Sequence, residues 1–236
     1  MSSDRSVRYL VYAIGEIALV VIGILIALQV NNWNESKLQR EREMNTLHEI
    51  SAELAQNIEQ LDRTGGGVLR ERKRQESIRL LIAYFDRKGP YHDSLDQHFN
   101  MAMNLGGYIF RNSGYQSLLS TGLDQIADPE LRSAISKLYS DNVTRLDRMF
   151  NETRDDFYNY MLDFLRKDFI YIKATDSARF FTRLKPRDYD NLMKNGEFIQ
   201  SLKVYSFIHM SYLLRAQNVL SESKKVNEMI QKELAR

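Results

Sequence analysis

Residues 9–30 read YLVYAIGEIALVVIGILIALQV, with Glu16 as the one charge and Gln29 as the one other strongly polar side chain. At about 1.5 Å rise per residue the run spans roughly 33 Å as a helix, enough for a hydrocarbon layer of about 30 Å. Tyr9 and Tyr12 stand at one boundary and Trp33 at the other, where amphipathic rings prefer the membrane interface. A cleaved signal peptide needs a shorter apolar core and a small-x-small cleavage site. This run continues instead into Gln29-Val30-Asn31-Asn32-Trp33. The expectation is a retained transmembrane helix over residues 9–30, preceded by a short tail at 1–8.

Composition narrows what the rest can be. The 236 residues carry 33 Lys and Arg against 31 Asp and Glu, a net charge of +2. That balance gives no global nucleic-acid footprint. Three prolines and 11 glycines are too few for an all-β sandwich or barrel. The absence of cysteine removes disulfides, thiolate metal sites and thiol catalysis. Lys and Arg nearly tie across the apolar run, with Arg5 and Arg8 before it and Lys37, Arg40 and Arg42 after it. A short tail is easily retained on the cytoplasmic side. The expected orientation is therefore N-terminus cytoplasmic with the large domain exported.

Beyond the apolar run, Met44, Leu47, Ile50, Leu54, Ile58 and Leu61 recur at spacings of three and four, one face of a helix. Nothing between Asn31 and Ser36 forces a break, so a membrane-proximal stalk helix is expected over 31–64. Gly65-Gly66-Gly67 ends it; a phosphate loop there would need a Gly-Lys-Ser/Thr continuation that is missing. A helical bundle is expected over 68–236. Its predicted helices cover 68–88, 94–105 and 115–120, then a run of about forty residues opened by Asp128-Pro129-Glu130. The last covers 196–234. That opening supplies an N-cap carboxylate, proline at the first helical position and an acid in the first turn. Residues 168–186 read as an irregular connection, although Phe169-Ile170-Tyr171-Ile172 has the composition of a strand. The fold class is all-α: an N-terminal transmembrane helix continuing into an elongated helical bundle.

The block YAIGEIALVVIGILIALQVNNWNE, residues 12–35, resembles the N-terminal signature of an uncharacterised bacterial family described as a domain of unknown function. The stretch YQSLLSTGLDQIADPELRSAISKLY, residues 115–139, is similar to that family's second block. The resemblance implies a single-pass protein of Gram-negative bacteria with a helical domain after the anchor; with the orientation above, the expected placement is the bacterial inner membrane, N-terminus cytoplasmic and large domain periplasmic. It implies no activity and assigns no catalytic residue.

Few residues suggest chemistry. His92, Asp93, Asp96 and His98 lie close in sequence and could hold a divalent cation. Asp93 or Ser94 is equally the expected N-cap of the following helix. No Glu-x-x-His pair exists for a di-iron bundle. Glu152, Asp155 and Asp156 sit beside Arg148 and Arg154 and read as a solvated ion-pair surface. Arg70, Arg72, Lys73 and Arg74 read as solvated helix face, with contact to anionic lipid or an acidic partner as the alternative. No catalytic residue, cofactor site or small-molecule substrate is expected.

Glu16 is the exception. A charged side chain at mid-bilayer costs roughly 2.5–3.5 kcal/mol on insertion scales. On a helix Glu16, Val20, Gly23 and Ala27 share one face, and small residues beside a polar group are what close packing in lipid requires. That face is the candidate helix-association surface; a lone protonated glutamate reaching toward the headgroups is the alternative. The reading is a non-enzymatic scaffold or interaction module, working as a homo-oligomer or with an envelope protein partner in contact with membrane lipid. The alternatives are an oligomeric pore or ion-coupled subunit using Glu16, and a ligand-binding sensor bundle.

Overall fold

The computed structural model describes the chain over residues 3–63, 67–173 and 181–236, and side chains from Gly15 onward apart from those of Ala18, Lys173, Phe181 and Thr182. The first helix, α1, is unbroken from Ser3–Asp62. After it come α2 (Gly67–Asp86), α3 (Leu95–Ala102) and α4 (Ser113–Thr121). A single helical rod then runs from Pro129 to Asp168: α5 (Pro129–Lys137), α6 (Thr144–Asp156) and α7 (Leu162–Asp168), joined through π-helical turns at Leu138–Val143 and Phe157–Met161. Strands β1 (Phe169–Lys173) and β2 (Phe181–Pro186) precede α8 (Tyr189–Lys194), and α9 (Gly196–Leu234) closes the bundle.

The all-α expectation holds, with α1 continuing directly from the apolar run into the bundle. The boundary between stalk and bundle shifts, however. Among its described side chains α1 is exposed from Gly15 through Gln39 and half-buried at Arg40, but from Glu43 onward it is a wall of the core, with Leu47, Ile50, Leu54 and Leu61 fully buried. Residues 43–62 pack along α9. Their apolar positions at i, i+3 and i+4 make one stripe, and that stripe buries against the corresponding stripe of α9.

Local chemistry fixes the helix starts. The Asp128 carboxylate accepts from the backbone N–H of Glu130 and Leu131, as the Asp-Pro-Glu signal predicts. Asn195 does the same for α9 through Glu197 and Phe198. α4 is capped from a distance instead: Glu53 of α1 accepts the Gly114 N–H at 2.9 Å and the Ser113 hydroxyl. Asn57 reads both backbone groups of Arg111, at 2.8 and 2.9 Å. Gly67 enters α2 with φ +52°, the left-handed region glycine adopts freely. The rest of the expected glycine hinge, Gly65-Gly66, lies outside the described residues, as do the side chains of the tail 1–8.

The π turns have a packing reason. Buried positions on the rod fall four apart at Thr153, Phe157, Met161 and Leu165. In a regular α-helix each such step overshoots a full turn by about 40°. A wider π turn takes up that drift and keeps the stripe facing α9.

Residues 168–186 correct the expectation of an irregular connection. β1 and β2 form an antiparallel pair with Phe169 opposite Pro186 and Tyr171 opposite Leu184. Phe169 and Leu184 are buried against α3, while Ile170 and Tyr171 are exposed. The strand needs a partner about ten residues away, so no local pattern announced it. Phe180, the other apolar residue noted there, lies outside the described residues.

Candidate functional site

α1 is long and apolar enough to cross a membrane, and none of its most apolar stretch is buried. On it Glu16, Val20, Gly23 and Ala27 do line up on one exposed face, and nothing lies within 4 Å of where a Cβ on Gly23 would sit. Trp33 is exposed, with the Lys37 ammonium 6.0 Å from its ring centroid. The side chains of Tyr9 and Tyr12 lie outside the described residues. Where α1 meets the bundle, the Arg40 guanidinium donates to Glu43 at 2.8 Å and to Glu233 at 2.7 Å. Glu43 in turn accepts the Ala127 N–H at 2.8 Å, and Arg236 joins Glu233 at 2.7 Å. These contacts tie α1 to the end of α9 and to the turn before α5. The apolar stretch is thereby joined to the bundle through a continuous helix with a braced exit.

The second feature lies in the interior. Among the described residues the core forms two apolar clusters. One gathers Leu47, Leu54, Leu118, Ile135, Val219 and Ile230. The other gathers Ile78, Phe99, Phe157, Leu165, Phe198 and Leu202. Between them α2 and α9 contribute a layer of polar side chains: Glu71, Arg74 and Gln75 from α2, and Ser206 and His209 from α9. Glu71, Arg74 and His209 are each at most 2% exposed. Glu71 Oε2 accepts from the Arg74 guanidinium, an i,i+3 pair, and faces His209 Nε2 at 2.9 Å. Arg74 Nε reaches the Met101 carbonyl at 3.3 Å, while Arg74 Nη2 and the Tyr205 hydroxyl have no hydrogen-bond partner among the described residues.

Electrostatics follows from this packing. Burial pushes the Glu71 carboxyl up, but the His209 hydrogen bond and the Arg74 charge together outweigh it and hold it below the usual value. Burial lowers the His209 imidazole, the Glu71 bond opposes it, and Arg74 adds to the lowering. Burial raises the Tyr205 hydroxyl to about 12, and raises Tyr108 and Tyr212 beyond that. The backbone at Gly106 closes over the layer: a Cβ there would meet Glu71 Oε1 at 2.9 Å and Arg74 Nη2 at 3.1 Å, and one at Gly107 would strike the Phe150 ring.

The layer corrects the reading of the basic run. Arg70, Arg72 and Lys73 stay at or near the surface, but Arg74 is buried. The signal was present in the periodicity. Val68, Glu71, Gln75, Ile78, Leu81 and Phe85 form one helical stripe on α2, and Tyr205, His209 and Tyr212 fall on the stripe of α9. Polar residues on a buried stripe mark an internal network.

The other candidates separate. Asp96 accepts from the Tyr91 hydroxyl at 2.8 Å, His98 Nδ1 meets Ser77 at 3.1 Å, and His92 meets Ser94. Ser94 occupies the cap position of α3 without a side-chain cap bond. Among the described residues no group of three His, Asp or Glu could hold a metal ion. Glu152 lies 3.9 Å from Arg148, and Asp155 lies 3.3 Å from Arg154, on an exposed face; burial raises the Asp156 carboxyl somewhat.

Among known families, the model of the Family of unknown function (DUF6090) matches residues 16–163 of the chain. The match takes in most of α1, the α2 half of the charged layer and the rod as far as α7; α9 lies beyond it. No curated protein and no solved structure matches the chain.

Proposed function

The chain belongs to that family of unknown function, and from its geometry we propose that it is a membrane-anchored helical interaction module without enzymatic activity, a scaffold acting through contacts between copies or as one subunit of a larger envelope complex. One observation carries the reading: the apolar stretch of α1 and the core wall at Leu47–Leu61 are the same unbroken helix. An event that rotates or pairs α1 in the bilayer is transmitted to the bundle without a hinge. The bundle lies outside the inner membrane, with the N-terminus cytoplasmic. Its contact face within the bilayer is Glu16, Val20, Gly23 and Ala27, where glycine and alanine let a second helix approach the carboxyl group.

Assembly is the readout. Glu16→Gln keeps a donor and an acceptor and should preserve the oligomer or complex. Glu16→Leu removes both and should weaken it by about 0.6–2 kcal/mol, the scale of such bonds in lipid. Gly23→Leu should weaken it too, by holding the backbones apart. Particle size in nanodiscs across a protein-to-lipid dilution series measures this, and unchanged size in both leucine variants would remove the proposed face. A second reading, an ion-conducting assembly, is favoured by Glu16 being the one carboxylate in the span. There Glu16→Gln would leave size unchanged and abolish ion flux in liposomes.

Placement is checked separately with two introduced cysteines in this cysteine-free chain. Ser221→Cys, on an exposed position of α9, should react with an impermeant maleimide in spheroplasts, and Ser3→Cys should not. The reverse pattern would invert the topology.

A further inference from the structure

His209 has an acceptor on each ring nitrogen. Nε2 lies 2.9 Å from Glu71 Oε2, and Nδ1 lies 2.8 Å from Gln75 Oε1. The Gln75 amide is oriented by its other end, where Nε2 donates to the Ser206 carbonyl at 3.1 Å and to the Ser206 hydroxyl oxygen at 3.0 Å. A neutral imidazole has one N–H and one lone pair and cannot satisfy two acceptors; an imidazolium has two N–H groups and can. With a neutral ring donating from Nε2 to Glu71, the Gln75 amide must turn over to offer its NH₂ to Nδ1. Its oxygen can then accept the Ser206 hydroxyl, but it meets the Ser206 carbonyl acceptor to acceptor.

We propose that His209 is a proton-binding site inside the bundle, and that the Gln75 amide turns with the charge of the ring and carries it to α9 at Ser206. The amide orientation described above is the one the protonated ring requires. The charged and titratable neighbours among the described residues are Glu71 and Arg74 from α2, Tyr205 and Tyr212 from α9, and Tyr108 from the segment between α3 and α4, with Arg70 acting on the layer through Tyr108. Asp156 on the rod reaches the layer through Tyr205. With His209 neutral, Glu71 and Arg74 cancel. Proton uptake leaves the layer at +1 between two apolar clusters, where an uncompensated charge is costly. Protonation thus completes the hydrogen bonds from His209 through Gln75 to Ser206 but leaves a net charge buried, and the balance falls against the proton.

The sign follows from the direction of the shift. His209 is held below its ordinary value in the fold, while an unfolded histidine titrates near about 6.5. The unfolded chain therefore binds the proton more readily. The contribution is complete above about pH 6.5 and is lost as pH falls below it. Glu71, also lowered, adds a further loss at lower pH, where unfolded carboxylates take up protons.

The test is a pH series on the full chain in detergent micelles with ¹⁵N-labelled histidine and glutamine side chains. Four histidines give few signals, and His209→Gln and Gln75→Leu assign the two that matter. The expected result is that His209 titrates below the free-histidine value and the Gln75 amide shifts with the same midpoint. Gln75→Leu leaves Nδ1–H without an acceptor and should lower the His209 midpoint by about one pH unit, a tenfold weaker proton affinity. His209→Gln should flatten the dependence of the denaturation midpoint on pH between 7.5 and 5. A His209 ring that stays neutral to pH 4.5, or one that titrates while the Gln75 amide does not move, would overturn the proposal. Both can be read in the unmutated protein.

Discussion

Arg74→Met is expected to lower the unfolding free energy by about 3–5 kcal/mol, the cost of leaving a buried ion without its partner. The variant keeps an apolar stem of similar length, so little of the loss comes from packing. What it removes is the guanidinium that, together with the His209 hydrogen bond, holds Glu71 ionised, and the carboxylate then faces only His209 in a region with almost no access to water. Much of a typical domain's 5–15 kcal/mol would go with it. The measurement is denaturant unfolding of the full chain in micelles, followed by circular dichroism. Arg72→Met is the control; it lies on the same helix but is exposed, and it should change stability by no more than about 0.5 kcal/mol. The informative variant is the double replacement Glu71→Leu with Arg74→Met, which removes both charges and should recover most of the loss. If Arg74→Met alone is as mild as Arg72→Met, the layer is not a buried ion pair and the account of the interior fails.

That layer also shows where a sequence stops being readable. The apolar run at 9–30, the Asp128-Pro129-Glu130 start and the stripe of α9 are local patterns, and each gives the element that forms. The charged layer is equally periodic, but LRERKRQES is dominated by exposed charges, so a composition reading places Arg74 in solvent with its neighbours. Only the continuation of the Ile78, Leu81, Phe85 stripe back through Gln75 and Glu71 separates inner from outer positions. Other features have no local signature at all. Glu53 caps a helix 60 residues away, Asn57 binds Arg111 at a separation of 54, and β1 requires β2. Each is satisfied only once the bundle has formed. The proposed association face at Glu16 is the opposite case: residue types and spacing are fully legible, while among the described residues nothing in the fold covers it.

The largest effect should come from removing α1 altogether. A chain covering residues 36–236 is expected to be soluble, helical and cooperative on melting, because everything from Glu43 onward that packs in the core is retained. A chain covering 67–236 should not fold. It loses Leu47, Ile50, Leu54 and Leu61, each fully buried. At about 1.5–3 kcal/mol per side chain these amount to roughly 6–12 kcal/mol, comparable to the whole stability of a domain. It also loses Glu53 and Asn57, and with them the hydrogen bonds that fix the start of α4 and the backbone at Arg111, each contributing about 0.5–1.5 kcal/mol. Ser51 goes with them, and with it the bonds to Asn227 and Gln231 on α9. Thermal melts by circular dichroism and sedimentation velocity on the two chains decide the matter. A molten or aggregated 36–236 chain would make the apolar stretch, or its assembly, part of the fold. A cooperative 67–236 chain within about 2 kcal/mol of the longer one would mean that α1 leans on the bundle without completing it. In that case no motion of the anchor could be felt in the core, and the coupling on which the scaffold reading rests would be gone.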